Sequence, residues 1–162
     1  MKKIFLLTVL TLSCVGAFAQ SGKSIYMKYS EKPLVNSVYI SPSMFSMMGQ
    51  LPDMEMDDET VNLTAAVKSL SGLYIIESEN KGVNNDIARD LAKMVQSSEY
   101  ELLMESKDDG EVMRIYIVAD GDYVQSFVLY SLDEEECDFI CIEGNMLKTQ
   151  MMSLIGETVS QD

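Results

Sequence analysis

The sequence predicts an α+β fold, a two-layer sandwich in which helices cover one face of a mostly antiparallel sheet. Three observations carry this prediction. After Ser97 four strand-like segments follow one another, "YELLMES", "EVMRIYIVA", "YVQSFVLYSL" and "CDFICIEG". Short turn signals join them, "DDG" at Asp108–Gly110, "DG" at Asp120–Gly121 and "DEEE" at Asp133–Glu136, so that a C-terminal four-stranded antiparallel meander follows directly. Ahead of them, Ile87, Ala88, Leu91, Met94 and Val95 repeat at helical spacing and need an apolar surface to cover.

Residues 20–36 are polar and mixed and read as a frayed lead-in, with one short helix or turn ending at Pro33. "SVYIS", Ser37–Ser41, alternates like a short strand, and Ser41 or Ser43 then caps a short helix with Pro42 in its first turn. Asp57 or Asp58 caps a second helix with an apolar stripe of Leu63, Ala66, Val67 and Leu70, and Gly72 ends it. "LYIIES", Leu73–Ser78, is a strand, and "ENKGVNN" a loop. Asn84 or Asn85 caps the next helix, which keeps Asp86, Arg89, Asp90 and Lys93 off its apolar face. In the second meander strand Met113, Ile115 and Ile117 alternate with Val112, Arg114 and Tyr116, which fits one buried and one partly wet face. A helix capped by Asn145 closes the chain, with Leu147, Met151, Leu154 and Ile155 as its stripe. If the first two strands were parallel neighbours, the helix between them would make a right-handed crossover. No repeat or long linker divides the chain. It reads as residues 1–19, a leader; 20–36, the lead-in; and 37–162, a single α+β domain.

Composition narrows the chemistry. The 162 residues suffice for one cored domain, and 47% of them are hydrophobic. Twelve Lys and Arg face 26 Asp and Glu, giving a net charge of -14. A surface of that sign repels phosphate backbones and anionic lipid, which argues against nucleic-acid binding. The sequence contains no His, so Ser-His and Cys-His catalytic arrangements cannot form within the chain.

The start, "MKKIFLLTVLTLSCVGAFAQ", has Lys2 and Lys3, an apolar run from Ile4 to Val15, and small residues at Ala17 and Ala19. This is the pattern of a cleaved export signal, with an apolar run too short to span a bilayer. The expected location is the periplasm or outer envelope, with no transmembrane segment after cleavage at Ala19. A lipid anchor on Cys14 is the alternative.

Cys137 and Cys141 lie four residues apart in a predicted strand, about 13 Å on one face. That is beyond disulfide reach, so both are expected to be free, buried hydrophobes.

Four stretches carry a further likeness: "SVYIS" with the following Met44, "YELLM" at Tyr100–Met104, the "DDG" hairpin, and "FICIEGNM" at Phe139–Met146. In these residues, and in their order and spacing, the chain resembles a family of small exported proteins from Bacteroidetes, domain-of-unknown-function family 4252. The resemblance implies an envelope location in a Gram-negative bacterium and an α+β fold. It implies no activity, and it offers no catalytic or binding residues to carry over.

Met44, Met47, Met48, Met54 and Met56 fall within thirteen residues. Thioethers are soft ligands for Cu(I) or Ag(I), but Met also fills core gaps and lines adaptable binding surfaces; the expectation is that this segment mainly fills space. The acidic runs "DMEMDDE" and "DEEECD" could attract Ca²⁺, but lack the spacing and glycine of the twelve-residue calcium loop and read as solvated turns. No cofactor motif is present. Tyr116, Tyr123 and Tyr130 are placed on the sheet face opposite the helices, as a surface for a protein partner or a homodimer. The expected function is therefore a non-catalytic interaction module of the cell envelope. The alternatives are a soft-metal or cation-binding periplasmic protein and a small carboxylate-dependent hydrolase.

Overall fold

The structure, a computed structural model, describes residues 21–48, 68–96 and 99–151. It is an α+β fold built on one six-stranded sheet whose strands are all antiparallel to their neighbours. The elements run α1 (Gly22–Tyr29), β1 (Val35–Ile40), α2 (Pro42–Met48), β2 (Leu70–Ser78), α3 (Lys81–Val95), β3 (Tyr100–Asp108), β4 (Glu111–Asp120), β5 (Tyr123–Leu132) and β6 (Cys137–Leu147). The strand order is β1-β2-β6-β5-β4-β3, so the meander β3–β6 is present as expected and β6 joins it to the β1–β2 pair. β1 and β2 pair antiparallel, which removes the condition for a right-handed crossover between them.

The meander turns form for the predicted reason. Asp109 and Gly110 have φ of 39° and 98°, and Gly121 has φ of 58°, a region open to Gly and tolerated by Asp. In the third turn the Asp133 carboxylate accepts the backbone N–H groups of Glu135 and Glu136.

Five local readings change. The lead-in is not frayed: Ser21 caps α1 by accepting the Ser24 N–H, and Ile25 and Tyr29, one turn apart, are buried in the main core. Two buried positions on one face outweigh the helix's polar composition. The cap of α3 is Asn80, whose side chain accepts the N–H groups of Gly82 and Val83, so the helix starts several residues before Asn84. Leu70 and Gly72 lie in β2 rather than at a helix end. A Cβ at Gly72 would stand 2.7 Å from the Tyr74 hydroxyl, so glycine there makes room for an aromatic ring. At the C-terminal end β6 runs through Leu147, and helix begins at 148. Finally, Asp90 is not on the wet side of α3; it is almost fully buried. The predicted stripe positions Leu63, Ala66, Val67, Leu154 and Ile155 lie outside the described residues.

Both faces of the sheet carry apolar clusters. Tyr74, Ile76, Val128, Tyr130, Cys137, Phe139 and Cys141 meet Ile25 and Tyr29 of α1 and Val83, Ile87, Leu91 and Met94 of α3. Ile115, Ile117, Val124, Phe127 and Met146 gather with Met151 in a second cluster. In the pairing register the members of one cluster alternate with those of the other: the rows run Arg114–Tyr130–Phe139, Ile115–Leu129–Ile140, Tyr116–Val128–Cys141 and Ile117–Phe127–Ile142 in turn. The helices α1 and α3 thus cover one face, and the opposite face has its own apolar cluster.

Candidate functional site

The edge of the sheet at β3 stands out. Among the described residues β3 is the last strand in the order, paired only with β4. It is nine residues long and exposed along nearly its whole length. Three consecutive large apolar side chains, Leu102, Leu103 and Met104, are 52%, 50% and 42% exposed. The register shifts between Leu102 and Met104, so Leu103 is the extra residue of a bulge. An exposed strand edge with apolar side chains presents unpaired backbone groups for another chain to complete.

The charges along β3 are unevenly compensated. Glu105 pairs with Lys107 and Arg114, both at 2.7 Å, and these bonds hold its carboxyl below the ordinary carboxylate range. Beyond Lys107 the balance reverses. Asp108, Asp109 and Glu111 at the β3–β4 turn and Asp133, Glu134 and Glu135 at the β5–β6 turn line an open pocket of about 400 Å³ with no cation in its wall. Further along the same end, Glu77 and Asp138 are direct cross-strand partners. Burial, then the charge of Glu77, pushes the Asp138 carboxyl up. Among the described residues no three His, Cys, Asp or Glu side chains are grouped to hold a metal ion.

The residues singled out in the sequence are dispersed. Tyr130 and Tyr116 project to the helix-covered face, where Tyr130 is buried in the main core and Tyr116 packs against it; only Tyr123 is substantially exposed. The expected tyrosine surface opposite the helices is therefore corrected. β5 misleads because it is apolar on both faces, Phe127 and Leu129 on one and Val128 and Tyr130 on the other, so its alternation does not tell which face meets the helices. Another aromatic group does form: Tyr39 stacks on Tyr74 with ring centroids 5.1 Å apart, and Tyr26 leans on both.

The methionine segment does not mainly fill space where it is described. In α2 the buried position goes to Phe45, while Met44 and Met47 are 50% and 69% exposed. A two-turn helix presents one narrow stripe to its neighbour, and here an aromatic ring takes it. Met48 is the last residue of α2, and Met54 and Met56 lie outside the described residues.

Cys137 and Cys141 are free and fully buried on the helix-covered face. Burial pushes both thiols up to about 12. We expect no labelling of either by a thiol reagent at pH 8 in the native state and full labelling in denaturant, measured by intact mass; labelling of native protein within minutes would contradict this burial.

A feature that sequence reasoning missed is the pairing of α1 with α3 through Asp90. Its carboxylate accepts the Tyr29 hydroxyl at 2.8 Å, Lys28 at 2.5 Å and Lys93 at 3.3 Å. Burial alone would raise its pKa, but these three bonds outweigh it and hold the carboxyl at about 2. Lys28 to Asp90 spans 62 residues in sequence, so no local pattern marks it. The arrangement is structural: a saturated carboxylate locked under a short helix.

Comparison with protein families matches residues 29–154 to the family described as Domain of unknown function (DUF4252). No curated protein and no solved structure matches the chain. No helix among the described residues is long and apolar enough to cross a membrane.

Proposed function

We propose, starting from the fact that the chain belongs to this family of unknown function, that the protein is a non-catalytic interaction module of the cell envelope. The observation that carries the reading is the exposed edge of β3 with Leu102, Leu103 and Met104 at its middle. A soluble surface seldom leaves three adjacent large apolar side chains in water beside unpaired strand backbone unless something binds there. The export signal read at residues 1–19 supports the envelope location. The absence of His from the whole chain and the saturation of Asp90, the one deeply buried carboxylate among the described residues, support a role in binding rather than in proton transfer.

The test is a photo-crosslinking amino acid placed at Leu103 in cells, followed by fractionation. A discrete adduct in the envelope fraction, missing when the crosslinker stands at Lys81 on α3, is the expected result. Crosslinker at Leu103 yielding no adduct, with the protein recovered as a monomer in the cytoplasm, would overturn the reading.

A further inference from the structure

Resting on the interaction-module reading, we infer that the β3 edge docks an extended, basic-then-apolar segment of a partner protein, laid antiparallel to β3 with its cationic N-terminal end over the acidic turns. Four observations converge on this occupant. β3 ends the sheet among the described residues, and the side turned away from β4 offers alternate backbone N–H and C=O groups to an added strand. The bulge at Leu103 divides the strand, and the longer unbroken stretch runs from Met104 to Asp108, the half nearest the turns. Leu102, opposite Tyr116, and Met104, opposite Ile115, then give an apolar side chain to each face of the edge, on which the alternating side chains of an incoming strand rest. At the other end of the stretch, six carboxylates line the pocket formed by Asp108, Asp109, Glu111, Asp133, Glu134 and Glu135, with no Lys or Arg among them.

Every strand pair in this sheet is antiparallel, and the same geometry for an added strand sets its polarity: its first residues lie beside Asp108 and its later ones beside Leu102. Lys or Arg in those first residues would meet uncompensated negative charge, because the nearby cations Lys107 and Arg114 are already committed to Glu105. A second copy of this chain fits poorly. Its own β3 carries Glu101, Glu105 and Asp108 against one lysine, and each copy has a net charge of -14. The pocket is too polar and too open to be the binding site by itself; it sets the direction and sign of what lies along the strand.

The experiment uses the protein purified as its host processes it. A random 12-residue displayed peptide library is panned against it, and enriched sequences are synthesised and measured by fluorescence anisotropy at low salt. The expected winners carry two or more Lys or Arg near their N-terminal end, followed by alternating apolar residues. Their affinity should fall with added salt. It should also fall about tenfold for Leu102→Thr/Met104→Thr and, independently, for Asp108→Asn/Asp109→Asn/Glu134→Gln/Glu135→Gln. Val38→Thr on the opposite edge should leave it unchanged. All substituted positions are exposed, and circular dichroism confirms that each variant folds.

Neutral or acidic winners, winners insensitive to both variants, or no winners at all would overturn the inference. So would concentration-dependent dimerisation abolished by the Thr pair, which would assign the edge to a second copy. If the library fails while the Leu103 crosslinker still captures an envelope protein, the module reading stands and only the chemistry of its partner falls.

Discussion

Replacing Asp90 with Ala should lower stability by about 3 kcal/mol at pH 7 and the melting temperature by about 10 °C. The substitution removes the acceptor of the Tyr29 hydroxyl, a buried group, unties Lys28 of α1 from α3, and leaves Lys93 without its partner one turn back in α3. The loss is larger than an ordinary surface ion pair because the carboxylate is 3% exposed, although both lysines are more than half exposed and the figure is reduced accordingly. Tyr29→Phe, which deletes only one of the bonds, should cost about 1 kcal/mol.

The pH dependence separates this account from simple loss of packing. The folded-state pKa of Asp90 is depressed to about 2, below its ordinary 3.8. Its contribution is therefore present above about pH 4 and is lost as pH falls toward 2. Thermal melts of wild type and Asp90→Ala should converge across that window. Parallel curves, with the same deficit at pH 2.5 as at pH 7, would show that the carboxylate's charge is not what holds α1 to α3.

Gly22→Ala should destabilise by about 2 to 3 kcal/mol, opposite in sign to the usual gain of alanine over glycine in a helix. A Cβ at Gly22 would stand 2.1 Å from the Cys141 Sγ and 2.7 Å from its Cβ. Cys141 is fully buried in the middle of β6, so neither atom can retreat without moving the strand. Relief comes only by lifting α1, which carries Ile25 and Tyr29 out of the core. Gly82 provides the control. It lies in the first turn of α3, where a Cβ would meet nothing closer than the Asn80 Oδ1 at 3.4 Å. Gly82→Ala should therefore stabilise by about 0.5 kcal/mol. Chemical denaturation of the two variants side by side decides the matter; equal effects would mean that α1 is not seated as closely on β6 as described.

Much of the fold could be read from local pattern because local physics dictates it. The β3–β6 meander follows from alternation and from turns that need Gly or Asp at positive φ, at Asp109, Gly110 and Gly121. The α3 face of Ile87, Leu91 and Met94 follows from its period. What could not be read is what depends on distant partners. α1 is helical and buried because β6 and Asp90 lie beneath it, and neither is near in sequence. The direction in which Tyr130 faces depends on which side of a doubly apolar strand meets the helices. The β3 edge was present in the sequence as "YELLMES", a run with apolar residues adjacent rather than alternating, but its exposure depends on the strand order, with β3 at the margin and β6 between β2 and β5.

That order has a consequence for how the chain comes together. β6, the last strand in sequence among the described residues, is the one that sits between the first pair and the rest of the meander. Until Cys137–Leu147 has emerged, β1–β2 and β3–β5 have no common neighbour and the buried row through Phe139 has no centre. Closure is thus a long-range, late step with a high contact order, and a slow one. A nascent chain that stops short of β6 stays open, and such a chain remains unfolded long enough to be handled by whatever machinery meets it first.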